Sequence, residues 1–189
     1  MKTLQDKIQA EAYIIDDRIV KVDHFINHML DTSLIFEIGK EFAKHFSNVT
    51  KIVTIEASGI AFAVATANAL NNIPIVFARK SESLITSKDV YQSSVYSFTK
   101  QKESIIIIDK KYINEFDHVL IIDDFLALGN AAIGLIDIAN QAHASIEGFG
   151  VVIEKGFQNG RERIESLGVK VVSLANISKI NNGKITFKN

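Results

Sequence analysis

The sequence predicts an α/β fold with a mainly parallel central sheet flanked by helices, and three observations carry that expectation. From residue 32 onward, short apolar runs rich in Val and Ile alternate with longer segments whose apolar residues recur every three or four positions. The connections between them are short and carry Gly, Ser or Asn, as strand–helix units require. Three of the strand-like runs finish at Glu56, Arg79 and Asp123, and in an open parallel sheet such ends lie together, where ligands bind.

Residues 4–11 read as a short helix, followed by small extended pieces at 13–16 and 18–22. Apolar positions then thin out around Asp23, His24, Asn27 and His28, which marks a surface segment or flap rather than core. Residues 32–46 are a helix: Leu34, Ile35, Ile38, Phe42 and Phe46 share one face, and Asp31, Thr32 or Ser33 can cap its start. Residues 51–55 form a buried strand leading into Glu56-Ala57-Ser58-Gly59 and an alanine-rich helix to residue 70. That turn offers free N–H groups and so a candidate anion site, although an ordinary connection with a packing glycine has the same composition.

Pro74 opens a strand over 75–78, where its missing N–H is tolerated. Arg79 and Lys80 follow at its carboxyl end; they suit either diphosphate oxygens, which Arg79 can grip with its planar fork, or plain solvation. Residues 81–94 are polar without a period and read as a mobile loop able to close over reactants. Residues 94–99 and 104–108 look like two antiparallel strands beside it. A helix over 131–142, a long strand over 145–154, a short helix over 161–167, a last main strand over 169–174 and an edge strand over 184–187 complete the order.

Composition sets the outer limits. With 189 residues, 47% of them hydrophobic and 23% charged, the chain can build one sizeable core, so a single domain over 1–189 is expected. Its 21 basic and 22 acidic residues give no broad pull toward nucleic acid or membrane. It has no cysteine, which excludes a disulfide framework and a thiolate metal site. The N-terminal MKTLQDKIQAEAY is charged where a signal peptide needs an apolar run, and no window reaches about 18 uninterrupted apolar residues, so a cytoplasmic location is expected.

The stretch richest in chemistry is 119–131, VLIIDDFLALGNA. A buried β run ends in two adjacent carboxylates, Asp123 and Asp124, and a short loop then reaches Gly129 and a helix start near Asn130. A helix N-terminus presents unpaired N–H groups and the positive end of the helix dipole, so it can hold a phosphate without a lysine. Like charge keeps the aspartates off that phosphate, which leaves sugar hydroxyls or a divalent cation for them. An acidic pair that merely ends a strand and caps a helix has the same residues.

This window resembles the diphosphoribosyl-binding motif of type I phosphoribosyltransferases: hydrophobic strand, two acids, small-residue loop with glycine. With its flanks, nearly the whole chain is similar to the purine-salvage members of that family that take xanthine. The resemblance implies transfer of a phosphoribosyl group from 5-phosphoribosyl 1-diphosphate to a ring nitrogen of xanthine, with Mg²⁺ bound alongside the diphosphate rather than in a site made by protein side chains alone. Asp123 and Asp124 would hold the ribose hydroxyls, Ala127, Leu128, Gly129, Asn130 and Ala131 would wrap the 5′-phosphate, and Glu56, Ala57, Ser58 and Gly59, with Arg79 and Lys80, would hold the diphosphate.

On the same resemblance, residues 1–30 contribute a hood over the base, with Val20 and Asn27 as purine contacts. Taken alone, Val20 is a packing residue and Asn27 a turn former. Lys155 matches a lysine that donates to the exocyclic oxygen of a 6-oxopurine, and Phe157 is placed to stack on the base; by themselves they read as a solvated lysine and a core aromatic. An ammonium has only donors, so it favours an oxo group and disfavours adenine's amine. Two departures stand out: Ala127 replaces an aspartate that hypoxanthine-guanine relatives are proposed to use for the base proton, and Leu128 and Ala131 stand where many relatives carry polar residues. A homodimer is implied as well. Guanine or hypoxanthine remains the nearest rival substrate, and a diphosphate-sensing regulator of the same fold the rival class, although no basic face or spare domain supports the latter.

Overall fold

The computed structural model describes residues 1–81, 89–97 and 102–188. Their elements are α1 (Lys2–Glu11), β1 (Tyr13–Ile15), β2 (Ile19–Lys21), a π turn (Asp23–Asn27), α2 (Thr32–Ala43), β3 (Lys51–Ile55), α3 (Ile60–Ala69), β4 (Ile75–Ser81), β5 (Val90–Ser97), β6 (Lys102–Asp109), β7 (His118–Leu126), α4 (Asn130–Gln141), β8 (Ser145–Lys155), α5 (Gly160–Glu165), β9 (Val171–Asn181) and β10 (Lys184–Phe187). Among the described residues the main sheet runs β10-β9-β8-β7-β3-β4-β6-β5. Its centre, from β9 to β4, is parallel, while β10, β6 and β5 pair antiparallel. β1 and β2 make a separate hairpin.

Period-two alternation along buried strands sends neighbouring residues to opposite faces. In β7, Leu120 and Ile122 join a core shared with α1, α2, α3 and the π turn, whereas Val119 and Ile121 join the core under α4 and α5. The helices therefore cover both faces, which leaves the strand ends as the place for a site. α2 starts on Asp31, whose carboxylate accepts the Leu34 N–H at 3.1 Å. It also lies tight on α3, since a Cβ at Gly39 would come within 2.3 Å of the Ala65 backbone.

Several boundaries differ from the sequence reading. β7 passes through the acidic pair to Leu126, because Asp123, Phe125 and Leu126 still pair with Val151, Ile153 and Glu154 of β8. β4 continues through Arg79 and Lys80, which pair with Ile107 and Ile106 of β6. β5 begins at Val90 rather than residue 94: its Gln and Ser side chains hide the strand pattern, but the backbone pairs along β6 from Val90↔Asp109 onward. Of the loop expected over 81–94, residues 82–88 lie outside the described residues. β9 extends to Asn181 because β10 pairs with it there. The segment read as surface around Asp23 also contributes to the core, since Phe25 and Ile26 are buried between polar neighbours in a turn too short to show a period.

Candidate active site

β7 delivers both carboxylates to the carboxyl end of the sheet. Asp123 is 5% and Asp124 9% exposed, an uncommon degree of burial for acids. Asp123 accepts the Asp124 backbone N–H at 2.9 Å, which fixes its orientation. Burial, and after it the charge of Asp124, pushes the Asp123 carboxyl well above the usual carboxylate range, while Lys80 pulls the other way. Hydroxyl donors or a cation brought between the two acids would offset that repulsion. Gly59 makes the close approach of the neighbouring loop possible: a Cβ there would lie 2.1 Å from Thr54 Oγ1 and 3.3 Å from Asp123 Oδ1.

Past the acids, the chain turns through Ala127 and Leu128 to Gly129, whose φ of 77° is left-handed and suits glycine. α4 begins there with no side chain capping its N-terminus, which leaves its first N–H groups for solvent or a ligand, and Ala127 through Ala132 line a cavity. The loop is braced from behind. Arg163 Nη1 of α5 donates to the Leu128 carbonyl and to Asn130 Oδ1, the latter at 2.9 Å, and Asn130 Nδ2 donates to the Tyr96 carbonyl at 2.9 Å. Gly160 lets α5 pack here, because a Cβ would sit 2.3 Å from the Ala127 carbonyl. Arg163 and Tyr96 carried no signal in the sequence, since they reach the loop only through the packing of α5 and β5.

The cavity holds about 690 Å³, and besides this helix start it is lined by Asp123, Lys155, Arg18 and Gln158. A smaller recess of about 310 Å³ shares Tyr96, Asp123 and Ala131 with it and adds Asp124, Glu56, Ser58 and Lys80. Glu56 organises that recess by accepting the Lys80 N–H at 2.7 Å. Its other oxygen lies 3.9 Å from Arg79 Nε. Arg79 is itself exposed and lines neither space, and Ala57 and Gly59 flank the recess without lining it.

At the far end, Lys155 Nζ donates to the Arg18 carbonyl at 3.0 Å, tying β8 to the β1–β2 turn. Burial alone pulls its pKa below lysine's ordinary value. An ammonium has three donors, so two remain for a ligand. That turn is held in place by Asp17, which accepts N–H bonds from Asn182 at 2.9 Å and Gly183 at 2.8 Å. The other base-site candidates are not brought to the cavity. Val20 is buried in the core, Asn27 is exposed at the end of the π turn, and Phe157 is 43% exposed beyond Gly156. Arg18 and Gln158 line it instead; neither stood out in the sequence, because each sits in a turn with no periodic context.

Comparison with known proteins decides the family. A family model described as a phosphoribosyl transferase domain matches residues 29–183. The chain belongs to the phosphoribosyltransferase family. It is 50% identical to a xanthine phosphoribosyltransferase of Clostridium novyi, with all of both chains covered. It is 52% identical to one from Acinetobacter baylyi, over 99% of this chain and 98% of that one. Among solved structures, an adenine phosphoribosyltransferase of Thermoanaerobacter pseudethanolicus superposes with a TM-score of 0.75 at 20% identity, covering 91% of this chain and 99% of that one. That likeness establishes the type I phosphoribosyltransferase fold.

Proposed function

We propose that this phosphoribosyltransferase converts 5-phospho-α-D-ribose 1-diphosphate and xanthine to xanthosine 5′-monophosphate and diphosphate. The observation that carries the reading is the identity of about half over the full length with relatives named for xanthine. A cavity lined both by an uncapped helix N-terminus and by a half-buried lysine supports it. The 5′-phosphate rests on the first N–H groups of α4, the ribose hydroxyls meet Asp123 and Asp124, and the diphosphate lies in the recess of Glu56, Ser58 and Lys80. As the bond from ribose C1′ to diphosphate breaks, positive charge develops on the sugar beside the carboxylates, which favours the transition state over the ground state. The purine nitrogen then bonds C1′. Ala127 offers no side chain to take the base proton, so another group takes it or xanthine reacts as its own anion.

Among the described residues, no cluster of three or more His, Cys, Asp or Glu could hold a metal ion alone. Two adjacent acids beside a diphosphate recess do fit Mg²⁺, which keeps several waters and takes most of its remaining ligands from phosphate oxygens. When bound, it would neutralise charge on the leaving diphosphate. Among the described residues, no helix is long and apolar enough to cross a membrane. The proposal includes a cytoplasmic location, as the sequence reading expects, and a homodimer, on the strength of the resemblance.

A base panel with the diphosphate donor and Mg²⁺ tests the reading. Xanthine should give product fastest and adenine should give little. In Lys155→Ala the KM for xanthine should rise roughly tenfold or more, with the donor KM little changed, because a charge-assisted contact to the base alone is lost. Equal turnover of xanthine and adenine by the wild type would contradict the proposal.

A further inference from the structure

Arg163 lines neither the cavity nor the smaller recess, yet two groups of the loop after β7 depend on it. Its Nη1 donates to the Leu128 carbonyl and, at 2.9 Å, to Asn130 Oδ1. Leu128, Gly129 and Asn130 all line the cavity, whereas among the described residues no member of α5 does. The helix is anchored where it stands: Arg161 holds Glu154 of β8, and Gly160 leaves room for the Ala127 carbonyl. The Leu128–Gly129 peptide is trans, so its N–H lies opposite its C=O. A Leu128 carbonyl held against α5 therefore turns the Gly129 N–H away from that helix, and accepting from a cation polarises the same peptide into a stronger donor. A guanidinium only donates, so it fixes the Asn130 carboxamide with oxygen toward α5 and Nδ2 on the Tyr96 carbonyl, 2.9 Å away. Tyr96 lines both spaces. One nitrogen thus joins α5, the start of α4 and β5.

We infer that Arg163 is a positioning residue for the donor's 5′-phosphate: without touching the ligand, its guanidinium presets the loop whose N–H groups receive the anion. The inference rests on the proposed binding of that phosphate at the start of α4. Without the brace, the ligand itself would have to order the loop around Gly129, and its affinity would fall by that cost. The diphosphate end of the donor lies against Glu56, Ser58 and Lys80 in the proposed complex, so its hold does not pass through Arg163.

The test is calorimetric titration of ribose 5-phosphate, and separately of diphosphate with Mg²⁺, into wild type, Arg163→Met and Arg163→Lys, alongside the KM for the phosphoribosyl donor. Both bonds leave one nitrogen, so the ammonium of Arg163→Lys, a point donor with three protons, can remake them, and Arg163→Met cannot. In Arg163→Met, ribose 5-phosphate should bind roughly tenfold more weakly and the donor KM should rise by a like factor, while diphosphate stays within about twofold of wild type. Arg163→Lys should recover ribose 5-phosphate binding to within about threefold of wild type. Arg163→Gln takes the place of Arg163→Met if the latter is insoluble. Ribose 5-phosphate affinity within about twofold of wild type in the uncharged variant, equal losses for ribose 5-phosphate and diphosphate, or no recovery in Arg163→Lys would overturn the role of Arg163. A wild type that binds diphosphate but no ribose 5-phosphate would instead contradict the phosphate site itself.

Discussion

Asp124→Asn should lower kcat/KM by roughly 10²-fold or more, because in the proposed reaction it removes a charge beside the sugar as positive charge develops there. The change is close to isosteric, so the fold should tolerate it. It should even favour folding at neutral pH. The Asp123 carboxyl is raised by burial first and by the charge of Asp124 second. A raised acid binds more protons folded than unfolded, so it takes stability away as pH rises from the ordinary carboxylate range toward its folded value. Removing the neighbouring charge relieves part of that loss. Steady-state kinetics and melts at neutral pH should therefore show activity falling while the Tm holds or rises. A loss of activity below about threefold would dismiss the transition-state role.

Arg161→Met should produce the largest loss of stability. Glu154, the residue before Lys155, is 2% exposed and is gripped by Arg161 through two bonds, Nε to Oε1 at 2.9 Å and Nη2 to Oε2 at 2.6 Å. Arg161 also donates to Glu165 and to the Val171 carbonyl, both at 3.0 Å, and so ties α5 to β8 and β9. Its removal leaves a carboxylate buried without a partner, which costs about 3–5 kcal/mol. At about 2–4 °C per kcal/mol for a chain of this size, the Tm should fall by roughly 6–20 °C. Adding Glu154→Gln should restore much of the loss, because the stranded charge is then gone. A single variant that melts within about 2 °C of wild type would show that Glu154 finds another partner or protonates at little cost.

The sheet and its helices were legible because buried parallel strands and amphipathic helices write strong periods, as in β3 and in α2, although α2 ends at Ala43 and not at residue 46. The acidic pair and glycine loop were legible for a related reason: they are contiguous. Strand ends were not. β4 and β7 run on through Arg79, Lys80, Asp123 and Asp124 because cross-strand pairing outweighs the polarity of those side chains. Residues joined only by folding stayed hidden, among them Arg163 behind the phosphate loop, Arg18 on Lys155 and Glu154 under Arg161. Phe157 and Asn27 show the converse, since a motif position fixes the chain but not whether the side chain reaches the cavity.

The central claim is that the start of α4 holds the donor's phosphate while the carboxylates of β7 hold its sugar. Calorimetric titration of the phosphoribosyl diphosphate with Mg²⁺ into wild type and Ala131→Glu tests it most directly, because Ala131 lines both spaces in the first turn of α4. An acid in the first turn suits the helix dipole but repels a phosphate. The wild type should bind one donor per chain, and Ala131→Glu should lose that heat while melting at an unchanged or higher temperature. No heat with the wild type, or the same heat with both, would contradict the account.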